Sequence, residues 1–156
     1  MHRAFLSMSI VAALCACGSA TDAITFQAPA GYVSKASLGP FMQIWAGPRH
    51  NSLMLMAFPA AVDVNKMSND NVKNGKILKQ SSVTICGSQP AHYVSMLGEP
   101  IEIDTPAPGQ NVERQLIDFI ATDVNGKTYM AMYVRPAGTA GDPAAEAAIK
   151  NICPKS

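Results

Sequence analysis

The chain has 156 residues, with 12 Lys+Arg against 11 Asp+Glu, 48% hydrophobic residues and 15% charged ones. That length builds one domain of about 130 residues behind an N-terminal segment and excludes two domains with separate cores. A net charge of +1 excludes the basic face with which a nucleic-acid binder displaces counterions, and 11 Gly with 11 Pro point to a loop-rich globular domain, not a coiled coil or disordered tail.

Met1-His2-Arg3 is a short basic start, followed by an apolar run of about eleven residues from Ala4 to Leu14. This is signal-peptide length, short of the roughly twenty residues a spanning helix needs. Leu14-Cys15-Ala16-Cys17-Gly18 then resembles the lipobox of bacterial lipoproteins, with an aliphatic residue at −3, a small one at −1 and Cys17 as the lipid acceptor. Cys15 does not fit that role, because it would place bulky Leu14 at −1. The chain is expected to divide into a signal peptide at 1–16, the lipidated Cys with a short polar tether at 17–23, and a single domain at 24–156. Several acyl chains give a stable anchor where one does not, so the membrane becomes a partner through the N-terminal lipid. Gly18 is not the Asp associated with inner-membrane retention, which favours the periplasmic face of the outer membrane. The alternative is ordinary cleavage after Gly18-Ser19-Ala20, giving a soluble secreted protein.

Processing at Cys17 removes Cys15, so Cys86 and Cys153 are left in an oxidising space where free thiols are uncommon. They are expected to form a disulfide closing residues 86–153; the alternative is two unrelated buried thiols. Neither has a second Cys or His at zinc-ligand spacing.

In chain order, Ile24 to Gln27 reads as an opening strand. Phe41 to Ala46 and Leu53 to Phe58 flank Gly47-Pro48-Arg49-His50-Asn51 as a hairpin. Polar residues 63–76 read as a short surface helix or an open loop. Val83 to Cys86 and His92 to Leu97 form a second hairpin through Gly87-Ser88-Gln89-Pro90. Residues 100–111, with Pro100, Pro106 and Pro108, read as an extended excursion. The strongest unit is 114–135, where Asn125-Gly126 supplies the two positive-φ positions of a type I′ turn. Folding there places Ile117, Phe119, Ala121, Met130, Met132 and Val134 on a wholly apolar face. The other face is mixed, with Leu116, Asp118, Ile120, Thr122, Tyr129, Ala131, Tyr133 and Arg135, and is expected to be partly wet. Asp142 and Pro143 are N-cap and first residue of a closing helix over Ala144 to Ile152, stopped by Pro154. The fold class is therefore α+β: a twisted antiparallel sheet built from hairpins, with a C-terminal helix, and a possible short second one, packed on one face.

The segment Ile24-Thr25-Phe26-Gln27-Ala28-Pro29-Ala30-Gly31-Tyr32 resembles the opening strand of PsbP/Mog1/DcrB-like α+β domains, several of which are bacterial lipoproteins. The resemblance implies a twisted antiparallel sheet with a closing helix, and an accessory or binding role. It carries over no site residues.

No nucleophile elbow, phosphate-cradling loop or dinucleotide fingerprint is present, and His50 and His92 sit in no recognisable catalytic context. No catalytic residue and no cofactor are expected. The methionines stand out: Met54/Met56 and Met130/Met132 are Met-x-Met pairs on strands, so each pair projects to one face. Soft thioethers suit Cu(I), which makes Met54, Met56, Met130, Met132 and His92 a copper alternative. Core packing is the favoured use, since Met fills irregular volume. Three functional classes follow, in order: a non-enzymatic membrane-tethered accessory or binding module of the bacterial cell envelope with an envelope protein partner, a periplasmic copper-handling protein, and a hydrolase with an unrecognised site.

Overall fold

The computed structural model describes residues 20–35, 39–66, 75–99 and 114–156. The lipobox with Cys17, Met67 and the Pro-rich stretch at 100–111 lie outside them. The strands are β1 (Ile24–Thr25), β2 (Val33–Ser34), β3 (Met42–Ala46), β4 (Ser52–Ala57), β5 (Lys76–Ile85), β6 (Gln89–Gly98), β7 (Gln115–Val124) and β8 (Lys127–Pro136); helix α1 (Pro143–Lys150) and strand β9 (Cys153–Pro154) follow. Strands β2 to β8 form one sheet in the order β2-β3-β4-β8-β7-β6-β5, and β1 pairs with β9. Every pairing is antiparallel. This is an antiparallel α+β arrangement, as the hairpin pattern predicts.

The turn between β7 and β8 is set by Asn125 and Gly126, whose φ angles of 52° and 74° are the left-handed values a type I′ turn requires. The register is the expected one: Asp123 faces Thr128, Phe119 faces Met132 and Ile117 faces Val134. The face carrying Ile117, Phe119, Met130 and Met132 lies in a cluster with Ile44, Met54, Val94 and Met96. Phe58, Val62 and Val64 join it from the connection that carries the chain from central β4 to outermost β5. Residues 64–66 are helical. Asp63 caps that turn, its Oδ1 accepting from the Asn65 and Lys66 amides at 3.0 and 3.3 Å.

Three expectations need correction. The mixed face of β7–β8 is not wet: Ile120, Tyr129, Ala131 and Tyr133 are all buried, in one cluster with Ala145, Ala148 and Ile149 of α1 and with Ile24 and Ile152. Apolar contact from outside the sheet covers what alternation alone would leave exposed. Next, β5 and β6 are longer than 83–86 and 92–97. Lys76 to Ser82 continue the strand although most of them are polar, because β5 is the outermost strand and its side chains are mostly exposed. Its register slips between Ile77 and Lys79, leaving Leu78 as an extra, half-exposed residue in a bulge. The turn is 86–88 rather than 87–90, with Cys86 and Gly87 at φ 51° and 85°.

The third correction concerns the helix. Asp142 caps it as expected, accepting from the Ala144 amide at 3.0 Å ahead of Pro143. It ends at Lys150, however, with Asn151 as C-cap, so Ile152 and Cys153 lie beyond it. Cys153 and Pro154 are extended and pair with Thr25 and Ile24. The disulfide joins Cys86 to Cys153 with Cα atoms 5.7 Å apart, within the ordinary bridging range. It fastens the β5–β6 turn to the β1–β9 pair rather than to the last turn of the helix.

Gly126→Val is expected to destabilise the fold by about 1–2 kcal/mol, the cost of a left-handed L-residue. No heavy atom stands within 4 Å of an added Cβ there, so the effect is conformational rather than a clash. Urea unfolding measures it; a change within about 0.5 kcal/mol would match an ordinary surface substitution and contradict the turn assignment. Cys153→Ser is expected to cost about 2–5 kcal/mol, since it frees a long loop in the unfolded chain. Hydrogen exchange should rise first at 24–25 and 153–155, ahead of β7 and β8.

Candidate functional site

Alternation along three neighbouring strands gathers a polar group on an otherwise apolar face. Tyr93 faces Ile120 across β6–β7, Ser95 faces Asp118, Asp118 faces Tyr133 across β7–β8, and Leu116 faces Arg135. Directly opposed residues share a face, so Tyr93, Ser95, Asp118 and Arg135 stand on the side of the sheet that holds the cluster with α1. Glu146, Ile149 and Lys150, spaced i, i+3, i+4 along the helix, complete the lining of a cavity of about 230 Å³.

Asp118 and Ser95 are only 7% and 8% exposed. Tyr93 donates its hydroxyl proton to Asp118 Oδ1 at 2.9 Å, and Lys79 Nζ lies 5.8 Å from the Tyr93 ring centroid. Arg135 Nη1 donates to the Thr139 carbonyl, whereas its Nε is buried without a hydrogen-bond partner. A buried donor left unmatched costs about 1–3 kcal/mol. Gly141 borders the same region: a Cβ there would fall 2.1 Å from Glu146 Oε1 and 3.8 Å from Arg135 Nε. Any larger residue would displace the Glu146 carboxylate.

Beside the cavity, four polar side chains tie the loop after β3 to the start of α1. Asn51 Nδ2 and the Asp142 amide both donate to Tyr133 Oη at 3.0 Å, and Tyr32 Oη donates to Asp142 Oδ2 at 3.0 Å. The Tyr32 ring closes over Gly47, where an added Cβ would come 2.3 Å from it. Just before it, Phe26 and Trp45 rings meet with centroids 5.0 Å apart. The aromatic residues of the opening segment thus anchor it to the sheet.

Sequence reasoning named other residues. The Met-x-Met pairs do come together: Met54 faces Met132 and Met56 faces Met130 across β4–β8, with Met42 facing Met56. Met54, Met130 and Met132 are buried among Phe119, Ile117 and Val94. His92 faces Ala121 in the same row but is exposed. His50 lies in the loop beyond the Ala46–Ser52 pair, at the other end of the sheet. The cavity residues were missed. Their one signal was Asp118 and Arg135 standing between Leu116, Ile120 and Tyr133 on the mixed hairpin face.

Burial, and then the bond to Asp118, push the Tyr93 phenol up to about 12. Burial first, then Asp142, raises Tyr32 as well, and burial raises Tyr133. In the unfolded chain these phenols ionise near ~10. Their contribution to stability is therefore complete below about pH 10 and is lost as pH rises toward 12. Phenolate absorbance followed against pH should show a late-titrating group from Tyr32, Tyr93 and Tyr133, with unfolding accompanying that step. Titration of every tyrosine near the free value with the fold intact would contradict this.

No family model matches the chain, and no curated protein matches it. Solved structures do. A Pseudomonas aeruginosa protein of unknown function, PA94, superposes with a TM-score of 0.53 at 9% identity, covering 80% of this chain and 82% of that one. The Saccharomyces cerevisiae Ran-binding protein Mog1p gives 0.52 at 10% identity, over 83% of this chain and 79% of its own. A point mutant of Mog1 gives 0.52 at 10%, over 85% and 81%. At these identities the likeness is one of fold, and the fold is the Mog1/PsbP-like α+β fold.

Proposed function

We propose that the chain is a non-enzymatic binding or accessory module of the bacterial cell envelope, held at the membrane by lipid on Cys17 and acting on an envelope protein or ligand. Its parts are a signal peptide at 1–16, a tether at 17–23 and one domain at 24–156, with α1 lying on the sheet face that carries Tyr93, Asp118 and Arg135. The observation that carries this reading is the Cys86–Cys153 bond. Disulfides persist in oxidising spaces such as the periplasm, and the chain begins with the basic, apolar and Cys-containing pattern of an exported lipoprotein. Mog1p is described as a Ran-binding protein, so a domain of this fold serves binding there.

Two features favour binding over catalysis. His50 lies in the loop between β3 and β4 and His92 on β6 at the other end of the sheet, with β8 and β7 between them, so they serve no common reaction centre. The sulfurs of Met54, Met130 and Met132 belong to side chains packed with aromatic and aliphatic groups, a use that core packing explains. Copper handling through these residues with Met56 and His92 is thus the weaker reading, and hydrolysis weaker still.

Labelled palmitate supplied to a bacterial host should enter the wild-type chain and not Cys17→Ser, and the variant should leave the membrane fraction. Equal labelling of both, or of neither, would overturn the tether.

A further inference from the structure

We propose that the cavity formed by Tyr93, Ser95, Asp118, Arg135, Glu146 and Lys150 binds a small α-amino carboxylate, with the ligand carboxylate on Arg135 and its ammonium on Asp118 and Glu146. The proposal deepens the reading of the chain as a binding module by naming the ligand class.

Charge selects the class. The lining carries two carboxylates and two cations. A simple anion such as phosphate would meet Asp118 and Glu146, and a simple amine would meet Arg135 and Lys150. A molecule with both charges satisfies both pairs. The hydrogen bonds point the same way. Arg135 Nη1 is engaged by the Thr139 carbonyl, and Nε, on the other edge of the guanidinium, has no acceptor among the described residues. That edge is the fork that matches a carboxylate in two parallel bonds. On the neighbouring strand, Asp118 is buried and held by the Tyr93 hydroxyl, an acceptor oriented by a neighbour.

Size narrows the class further. The cavity of about 230 Å³ lies below the roughly 300–1,000 Å³ of drug-sized pockets, so the occupant has few heavy atoms. Ile149 and Leu116 supply apolar wall on either side of the charges, where a short side chain fits. The absence of a side chain on Gly141 lets the Glu146 carboxylate pack against the backbone there.

The test is calorimetric titration of the full chain with L-alanine, set against propionate, which lacks the ammonium, and ethylamine, which lacks the carboxylate. L-alanine is expected to bind at one site, at least about tenfold tighter than either half-ligand. Arg135→Gln and Glu146→Gln should each weaken it by about tenfold or more. Asp118 is buried, so Asp118→Asn is read only alongside its melting curve; Glu146 lies on the helix and keeps the test decisive if Asp118→Asn fails to fold. Absence of alanine binding at about 10 mM, equal affinity for propionate, or unchanged affinity in Arg135→Gln would overturn the proposal. Palmitate labelling is scored separately: loss of the lipid leaves the titration result standing, and failure of alanine to bind leaves the tether standing.

Discussion

The ladder between β4 and β8 holds two halves of the chain together. Each half is a set of antiparallel strands adjacent in chain order, β2 to β4 on one side and β5 to β8 on the other. Among the described residues, the six pairs from Ser52–Val134 to Ala57–Tyr129 make them one sheet. Because β4 is apolar on both faces, this seam also joins the two cores: Leu53 and Leu55 enter the cluster that includes α1, and Met54 the methionine-rich cluster. The seam is long-range in sequence, so its loop-closure entropy must be met before its contacts form. Everything at the site depends on it indirectly, since Tyr133 and Arg135 stand on the strand that it fixes.

The two faces of the sheet do different chemistry with the same alternation. One fills space with thioethers, aliphatic groups and the Phe119 ring, and its buried Thr128 hydroxyl donates to Asp123 and accepts from the Val62 amide. The other places a carboxylate, a hydroxyl and a guanidinium in a single patch that burial makes electrostatically strong. Buried polar groups of this kind destabilise a fold unless each is matched. Asp118 has Tyr93, whereas Arg135 Nε has no acceptor. The unmatched atom marks where the sheet is organised for something other than its own stability.

Legibility in the sequence follows the range of the interaction. Asn125-Gly126 determines its own turn, so the β7–β8 hairpin and its register could be read residue by residue. Asp142-Pro143 likewise signals the start of α1 through local capping. Lys76 to Ser82 could not be read, because an edge strand takes its pairing from β6 on one side and needs no apolar pattern of its own. The stop signal at Pro154 points to a helix reaching Ile152; pairing of Cys153 with Thr25, far away in sequence, makes the chain extended there and the helix ends at Lys150 instead. The cavity was hidden for the same reason. It needs residues of three strands and of α1 brought together, and no segment alone carries more than two or three of them.

The bulge at Leu78 has a consequence for assembly. Among the described residues β5 has no neighbour on its outer side, and an open edge is a template for another strand. Its first half is blunted by the bulge and by Lys76 and Lys79, two devices that discourage such pairing. From Gln80 to Ile85 the strand runs regularly, with Ser81, Ser82 and Thr84 and without charge or proline. Strand addition at this edge is therefore confined to that short stretch beside the disulfide, which allows brief contact with an extended peptide but gives little purchase there for runaway stacking of one chain on another.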